Sequence, residues 1–217
     1  MTPETSEKVG GEEHLHDAPK PSLRIAAVCG SLRAKSTTKM ALSLALKGAS
    51  EYDVSTKLID LREYKLVFYG EVDEADYPPD VFRLRQELKE AQGIILGTPE
   101  YHGSLSGVLK NMLDLMSAEE FEGKIVGLVG VAGGHIGAIN SLNTMRTIGR
   151  NLHSWVLPQD VSVADSFKTF NEDGTVSDPA IEQRLLNVGR QVVKFVSLQQ
   201  KIRQDDFMKL WEGLPTW

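Results

Sequence analysis

Three short runs decide what this chain can fold into: residues 23–28 (LRIAAV), 93–98 (GIILGT) and 125–131 (IVGLVGV). None alternates apolar with polar residues. A strand apolar at successive positions must be covered on both faces, as in a parallel sheet sandwiched by helices. Each run ends in a loop holding glycine, and each loop leads into a segment with helical apolar spacing. After the first run, Met40, Ala41, Leu44 and Ala45 set that spacing in a helix capped by Thr37 or Thr38. After the last, Ile139, Leu142, Met145 and Ile148 do so in a helix from Ala138 to Leu152. Weaker strands are predicted from Val54 to Leu61 and from Trp155 to Val163, the second interrupted by Pro158. Further helices are predicted from Pro79 or Asp80 to Ala91, from Gly107 to Met116, and from Asp178 and Pro179 through Ile181, Leu185, Val188, Val192 and Phe195. Strand and helix alternate throughout. The expected fold is α/β, a doubly wound five-stranded parallel sheet with helices on both faces.

Composition narrows the function classes. The 217 residues suit one domain, placed at 21–198. With 24 Lys and Arg against 30 Asp and Glu, the chain lacks the basic footprint of a nucleic-acid binder. No apolar run approaches the roughly 20 residues of a membrane span. Cys29 is the sole cysteine, which excludes an intramolecular disulfide and a Cys-rich metal site and suits a reducing cytoplasm. Residues 1–20 read as a disordered polar tail without the apolar stretch of a signal peptide, and His14 and His16 as solvated side chains rather than metal ligands. Residues 199–217 read as an amphipathic extension whose Trp211 and Trp217 suit a subunit contact.

In a doubly wound sheet, ligands bind beyond the carboxyl ends of the strands. The loop after the first run holds Gly30, Ser31, Arg33, Ser36, Thr37 and Thr38 just before a helix. Hydroxyls, a guanidinium and free helix N–H groups are what a phosphate dianion needs. On residue types alone, a phosphate site and a capped helix with a surface arginine both remain open. The loop is neither a G-x-G-x-x-G dinucleotide fingerprint nor a GK[ST] nucleotide loop. Residues 29–36 superficially resemble the Cys-x5-Arg-Ser loop of low-molecular-weight tyrosine phosphatases. Lys35, however, stands where the arginine fork belongs.

The loop after the second run reads TPEYHGSLSGVLKN from Thr98 to Asn111. With GSLRAKS from Gly30 to Ser36, it gives the chain a specific resemblance to the NADPH-dependent FMN reductase family, whose members are flavodoxin-like. The family pattern is G-S-x-R-x-x-S after the first strand and P-E-Y-x-x-S-x-x-G-x-L-K-N after the third. The resemblance implies that Ser31, Arg33, Ser36, Thr37 and Thr38 hold the FMN phosphate. It implies that Pro99, Glu100, Tyr101 and His102 line the flavin ring, mostly through backbone groups, and that Gly133, Gly134 and His135 close over its far side. Thr38 and His102 stand where relatives often carry Asn. Lys110 and Asn111 are expected to hold loop and helix together. The implied activity is hydride transfer from NADPH or NADH through bound FMN to a small acceptor (a quinone, azo compound, metal oxyanion or free flavin). Ping-pong kinetics follow, with no catalytic side chain and no metal. A homodimer or homotetramer is implied as well. A flavodoxin electron carrier would bring a Thr- and Gly-rich phosphate loop and a stronger acidic balance, and SLRAKS reads against it.

Overall fold

The computed structural model describes residues 23–204. The strands are β1 (Leu23–Cys29), β2 (Val54–Asp60), β3 (Gly93–Tyr101), β4 (Ser104–Leu105), β5 (Ile125–Val131) and β6 (Trp155–Val163). Helices α1 (Thr37–Ala49), α2 (Pro79–Glu90), α3 (Gly107–Asp114), α4 (Ile139–Asn151), α5 (Ser166–Thr169) and α6 (Pro179–Gln204) connect or follow them. Five strands run parallel in the order β2-β1-β3-β5-β6. The two-residue β4 pairs antiparallel with the end of β3. The tail at 1–20 and both Trp211 and Trp217 lie outside the described residues, and α6 carries the chain past residue 198 to Gln204.

The successive apolar residues do what their pattern demands. Ile94 and Leu96 of β3 enter the core beneath α2, α3 and α4, while Ile95 enters the core beneath α1 and α6. The same division sends Ala26 and Val28 of β1 to the first core, and Ile25 and Ala27 to the second. Pro158 falls on the edge strand β6, where the register slips between Val126↔Val156 and Leu128↔Asp160. A missing N–H is tolerated at such a place.

The helices α1 and α6 cross at backbone contact. A Cβ on Gly48 would lie 2.0 Å from the Leu186 carbonyl oxygen, and one on Gly189 would lie 1.8 Å from that of Ala45. Only glycine permits this approach.

Two expectations are corrected. The α1 cap is Ser36 rather than Thr37 or Thr38; its Oγ accepts the Lys39 N–H at 3.1 Å. And β3 does not stop at Thr98 but runs through Pro99 and Glu100 to Tyr101, then returns as β4. The two-residue turn is made by His102 (φ 52°) and Gly103 (φ 78°), the pair of positive angles that a tight hairpin needs. No helix among the described residues is long and apolar enough to cross a membrane.

Candidate functional site

From β1 the chain crosses outward to β2 and then back to β3 on the other side of β1. This reversal opens a crevice at the carboxyl ends of β1 and β3. Its floor is knitted from short bonds. The Gly30 N–H donates to the Gly97 carbonyl at 2.8 Å. The Ser106 hydroxyl donates to the Gly30 carbonyl at 2.6 Å and accepts the Leu109 N–H at 3.2 Å, which caps α3. The Ser106 N–H donates to the Thr98 hydroxyl at 3.0 Å, and that hydroxyl donates to the Pro99 carbonyl at 2.9 Å. A Cβ on Gly30 would sit 2.7 Å from Leu109 Cβ, so this position must be glycine.

Above the floor lies a cleft of about 210 Å³. One wall carries Ser31, Arg33, Lys35, Thr37 and Thr38; a second is Pro99, Glu100 and Tyr101; a third includes Gly133, Ser166 and Phe167. Thr37 and Thr38 open α1, so their N–H groups belong to the unsatisfied first turn. No acidic residue occupies that turn. The Arg33 guanidinium lies 5.9 Å from the Tyr101 ring centroid and 5.8 Å from that of Phe167, and makes no ion pair among the described residues. Lys35 holds only an exposed contact with Glu172 at 3.3 Å.

Glu100, the one acid in the lining, is turned away. Its carboxylate accepts the Ser141 N–H at 3.0 Å and faces Asn140 Nδ2 at 3.4 Å, at the start of α4, where Ala138 provides no side-chain cap. The cleft is therefore electropositive. Beside it, the buried Asp60 carboxylate accepts from Lys39 at 2.9 Å and from Arg62 Nε at 3.0 Å. The Arg62 hydrogen bonds hold its pKa well below the usual carboxylate range.

The cleft thus gathers Ser31, Arg33, Thr37, Thr38, Pro99, Glu100, Tyr101 and Gly133 from the sequence-predicted set. Four others lie elsewhere. Ser36 is buried with its hydroxyl spent on the cap. His102 forms the exposed hairpin turn at a positive φ. Gly134 accepts the Asp165 N–H at 3.1 Å through its carbonyl, and the exposed His135 pairs its Nδ1 with the Asp165 carboxylate, so both fasten this loop to the start of α5. Ser166 and Phe167 escaped the sequence reading. They follow β6, far along the chain from either motif, and nothing in their local pattern signals a ligand. Lys35 was weighed there only as a misplaced phosphatase arginine.

Cys29 is buried, and burial pushes its thiol pKa up. A nucleophilic phosphatase cysteine needs the opposite shift. Asn111 ties α3 to the segment between β2 and α2 rather than to its own preceding loop: its Nδ2 donates to the Val67 carbonyl at 2.9 Å and its Oδ1 accepts the Tyr69 N–H at 3.0 Å. Lys110 pairs with Asp114 on its own helix.

A doubly wound sheet with an anion-receptive cleft at its switch point is the frame of the flavodoxin-like flavoproteins. Residues 23–168 match the family model of NADPH-dependent FMN reductase, and the chain belongs to that family of FMN-dependent, NAD(P)H-linked oxidoreductases. It is 31% identical over 179 residues to the FMN-dependent NADPH-azoreductase of Staphylococcus aureus (strain NCTC 8325 / PS 47), covering 78% of this chain and 93% of the relative. Among solved structures, the flavoenzyme NAD(P)H:(acceptor) oxidoreductase FerB of Paracoccus denitrificans superposes with a TM-score of 0.69 at 22% identity, over 81% of this chain and 97% of FerB. A flavodoxin from the domain Archaea superposes with a TM-score of 0.59 at 16% identity, over 81% of this chain and 99% of its own. At such identities the likeness is one of fold.

Proposed function

We propose that the cleft at the β1/β3 switch point is the FMN site, and that this enzyme passes a hydride from NADPH or NADH to a small acceptor by ping-pong kinetics. The observation that carries this reading is the donor set on one wall. The hydroxyls of Ser31, Thr37 and Thr38, the opening N–H groups of α1, and the Arg33 and Lys35 cations face one small cleft from which the lone carboxylate is turned away. That is the chemistry of a phosphate dianion site. Arg33, near the Tyr101 and Phe167 rings, would hold the phosphate through charge-assisted hydrogen bonds. The end of β3, from Pro99 to Tyr101, and the loop at Gly133 would line the ring with backbone groups. When bound, FMN supplies the hydride chemistry, and the protein supplies binding and orientation. Donor and acceptor enter by the same opening and alternate there, so neither needs a side chain to act as acid or base.

Support for an even-numbered homo-oligomer, a dimer or tetramer, comes from large apolar side chains left in solvent, Trp155 at 67% exposure among them. A monomer at micromolar concentration in light scattering would overturn that part. The single cysteine, buried as a thiol, supports a reducing cytoplasmic setting.

The test is a visible spectrum of the protein with FMN, followed by anaerobic NADPH. Bound-flavin bands that bleach faster than those of free FMN are expected. A bound flavin that NADPH leaves unbleached would make the protein a carrier fed by a partner, and an absence of binding would refute the cleft assignment.

A further inference from the structure

Phe167 lines the phosphate cleft, yet its ring belongs to neither hydrophobic core and is 66% exposed. Packing on the sheet is therefore not what places it. The backbone around it is fastened locally instead. The Asp165 N–H donates to the Gly134 carbonyl at 3.1 Å, and the Ser166 N–H to the Ala132 carbonyl at 3.0 Å. The Thr169 hydroxyl donates to the Ala164 carbonyl at 3.0 Å. Asp165 takes a left-handed φ of 45°, which turns the chain from β6 into α5. The ring then lies against Gly133, where an added Cβ would stand 3.0 Å from its Cε2. A glycine in the β5 loop leaves room for the ring.

On the cleft side the neighbour is Arg33. Its guanidinium carbon is 5.8 Å from the Phe167 centroid and 5.9 Å from that of Tyr101, both inside the roughly 6 Å range of cation–π attraction. The two rings come from different elements, α5 and the end of β3. Among the described residues the guanidinium donates no hydrogen bond and forms no ion pair; only the Arg33 backbone N–H is engaged, on the Ser31 hydroxyl at 3.4 Å. A carboxylate partner would occupy the guanidinium donors and cancel its charge. A ring engages the face of the group, and the N–H donors in its plane stay free. The one acid in the lining, Glu100, is held by α4.

We propose that Phe167 is a positioning residue for the cofactor phosphate: with Tyr101 it holds Arg33 by the guanidinium face, and so favours FMN over its unphosphorylated form, riboflavin. The proposal rests on the reading of the cleft as the FMN site. A free arginine side chain loses much rotamer freedom when a ligand fixes it. One already lodged against two rings loses less, and binding is stronger by the difference.

The experiment is a double-mutant cycle on the full-length apoprotein, read by fluorescence titration with FMN and with riboflavin. Phe167→Leu keeps apolar bulk and removes the aromatic face. The Kd for FMN is expected to rise about fivefold in this variant (about 1 kcal/mol), while that for riboflavin stays within about twofold. Phe167→Tyr, which keeps the ring, is expected to bind FMN within about twofold of wild type. In an Arg33→Ala background, Phe167→Leu is expected to change the FMN Kd by less than about twofold, because the residue it acts through is gone. An unchanged FMN Kd in Phe167→Leu overturns the proposal. So does an equal loss for FMN and riboflavin, the result expected of a ring that touches the flavin or a neighbouring subunit. A full effect that persists without Arg33 overturns it as well. If Arg33→Ala weakens FMN binding and Phe167→Leu does not, the cleft reading stands and this proposal falls. If Arg33→Ala itself leaves FMN binding intact, the phosphate reading falls and takes this proposal with it.

Discussion

Ser106 is the sharpest single test of how the site is built. Replacing it by alanine removes one oxygen that serves two elements at once. The α3 cap is lost, which costs about 1 kcal/mol in typical helices. The buried Gly30 carbonyl loses its donor, and a buried acceptor left alone costs a further ~1–3 kcal/mol. The expected loss is therefore about 2–4 kcal/mol. In a chain of this size, each kcal/mol lowers Tm by roughly 2–4 °C. Urea unfolding followed by far-UV circular dichroism reads the loss directly, provided the m-value is unchanged. FMN affinity should fall as well, because the Gly30 carbonyl anchors the loop that carries Ser31 and Arg33. A loss below about 0.5 kcal/mol, with FMN affinity intact, would refute the idea that this hydroxyl couples the hairpin, the first loop and α3.

Arg33→Ala should weaken FMN binding by about 1.5–3 kcal/mol, the scale of a charged hydrogen bond; fluorescence titration with an unchanged Kd would reject the phosphate assignment. Glu100→Ala should cost about 1 kcal/mol in thermal stability, since its carboxylate caps α4, and an unaltered Tm would show the cap to be dispensable. Asp60 is held as a carboxylate by Arg62 and Lys39. A pKa depressed by folding stabilises the native state above the unfolded pKa and loses that contribution as pH falls through the folded one. Asp60→Asn should therefore destabilise strongly at pH 7, and the gap to wild type should narrow below about pH 4, where unfolded Asp takes up its proton. Urea midpoints at pH 7 and pH 3 that differ from wild type by the same amount would contradict this.

The sheet was legible because β1, β3 and β5 carry apolar residues at several successive positions, a pattern that a central parallel strand requires and few other elements need. The hairpin was not. Pro99 and His102 look like loop residues, yet Pro99 extends β3 and His102 adopts a positive φ beside Gly103. The signal was present in the Asn that relatives often carry at this position, since Asn tolerates the left-handed region better than most side chains. The α1 cap was misplaced by one or two residues because Ser36, Thr37 and Thr38 all have capping chemistry, and only the backbone angles choose among them. Ser166 and Phe167 had no legible signal, because their place at the cleft follows from where β6 delivers the chain and not from any local motif. The turning of Glu100 away from the cleft likewise depends on an uncapped helix about forty residues downstream.

The glycine contact between α1 and α6 has a reach beyond packing. Gly48 and Gly189 press backbone to backbone near the far end of α1, while the near end presents Thr37 and Thr38 to the cleft. A thirteen-residue helix is about 20 Å long and behaves as a rod. One methyl group added at Gly189 would push that rod as a lever, and the displacement would appear at the wall of the cleft that Thr37 and Thr38 line. Loss of cofactor retention would then trace to a position that no survey of the cleft would think to include.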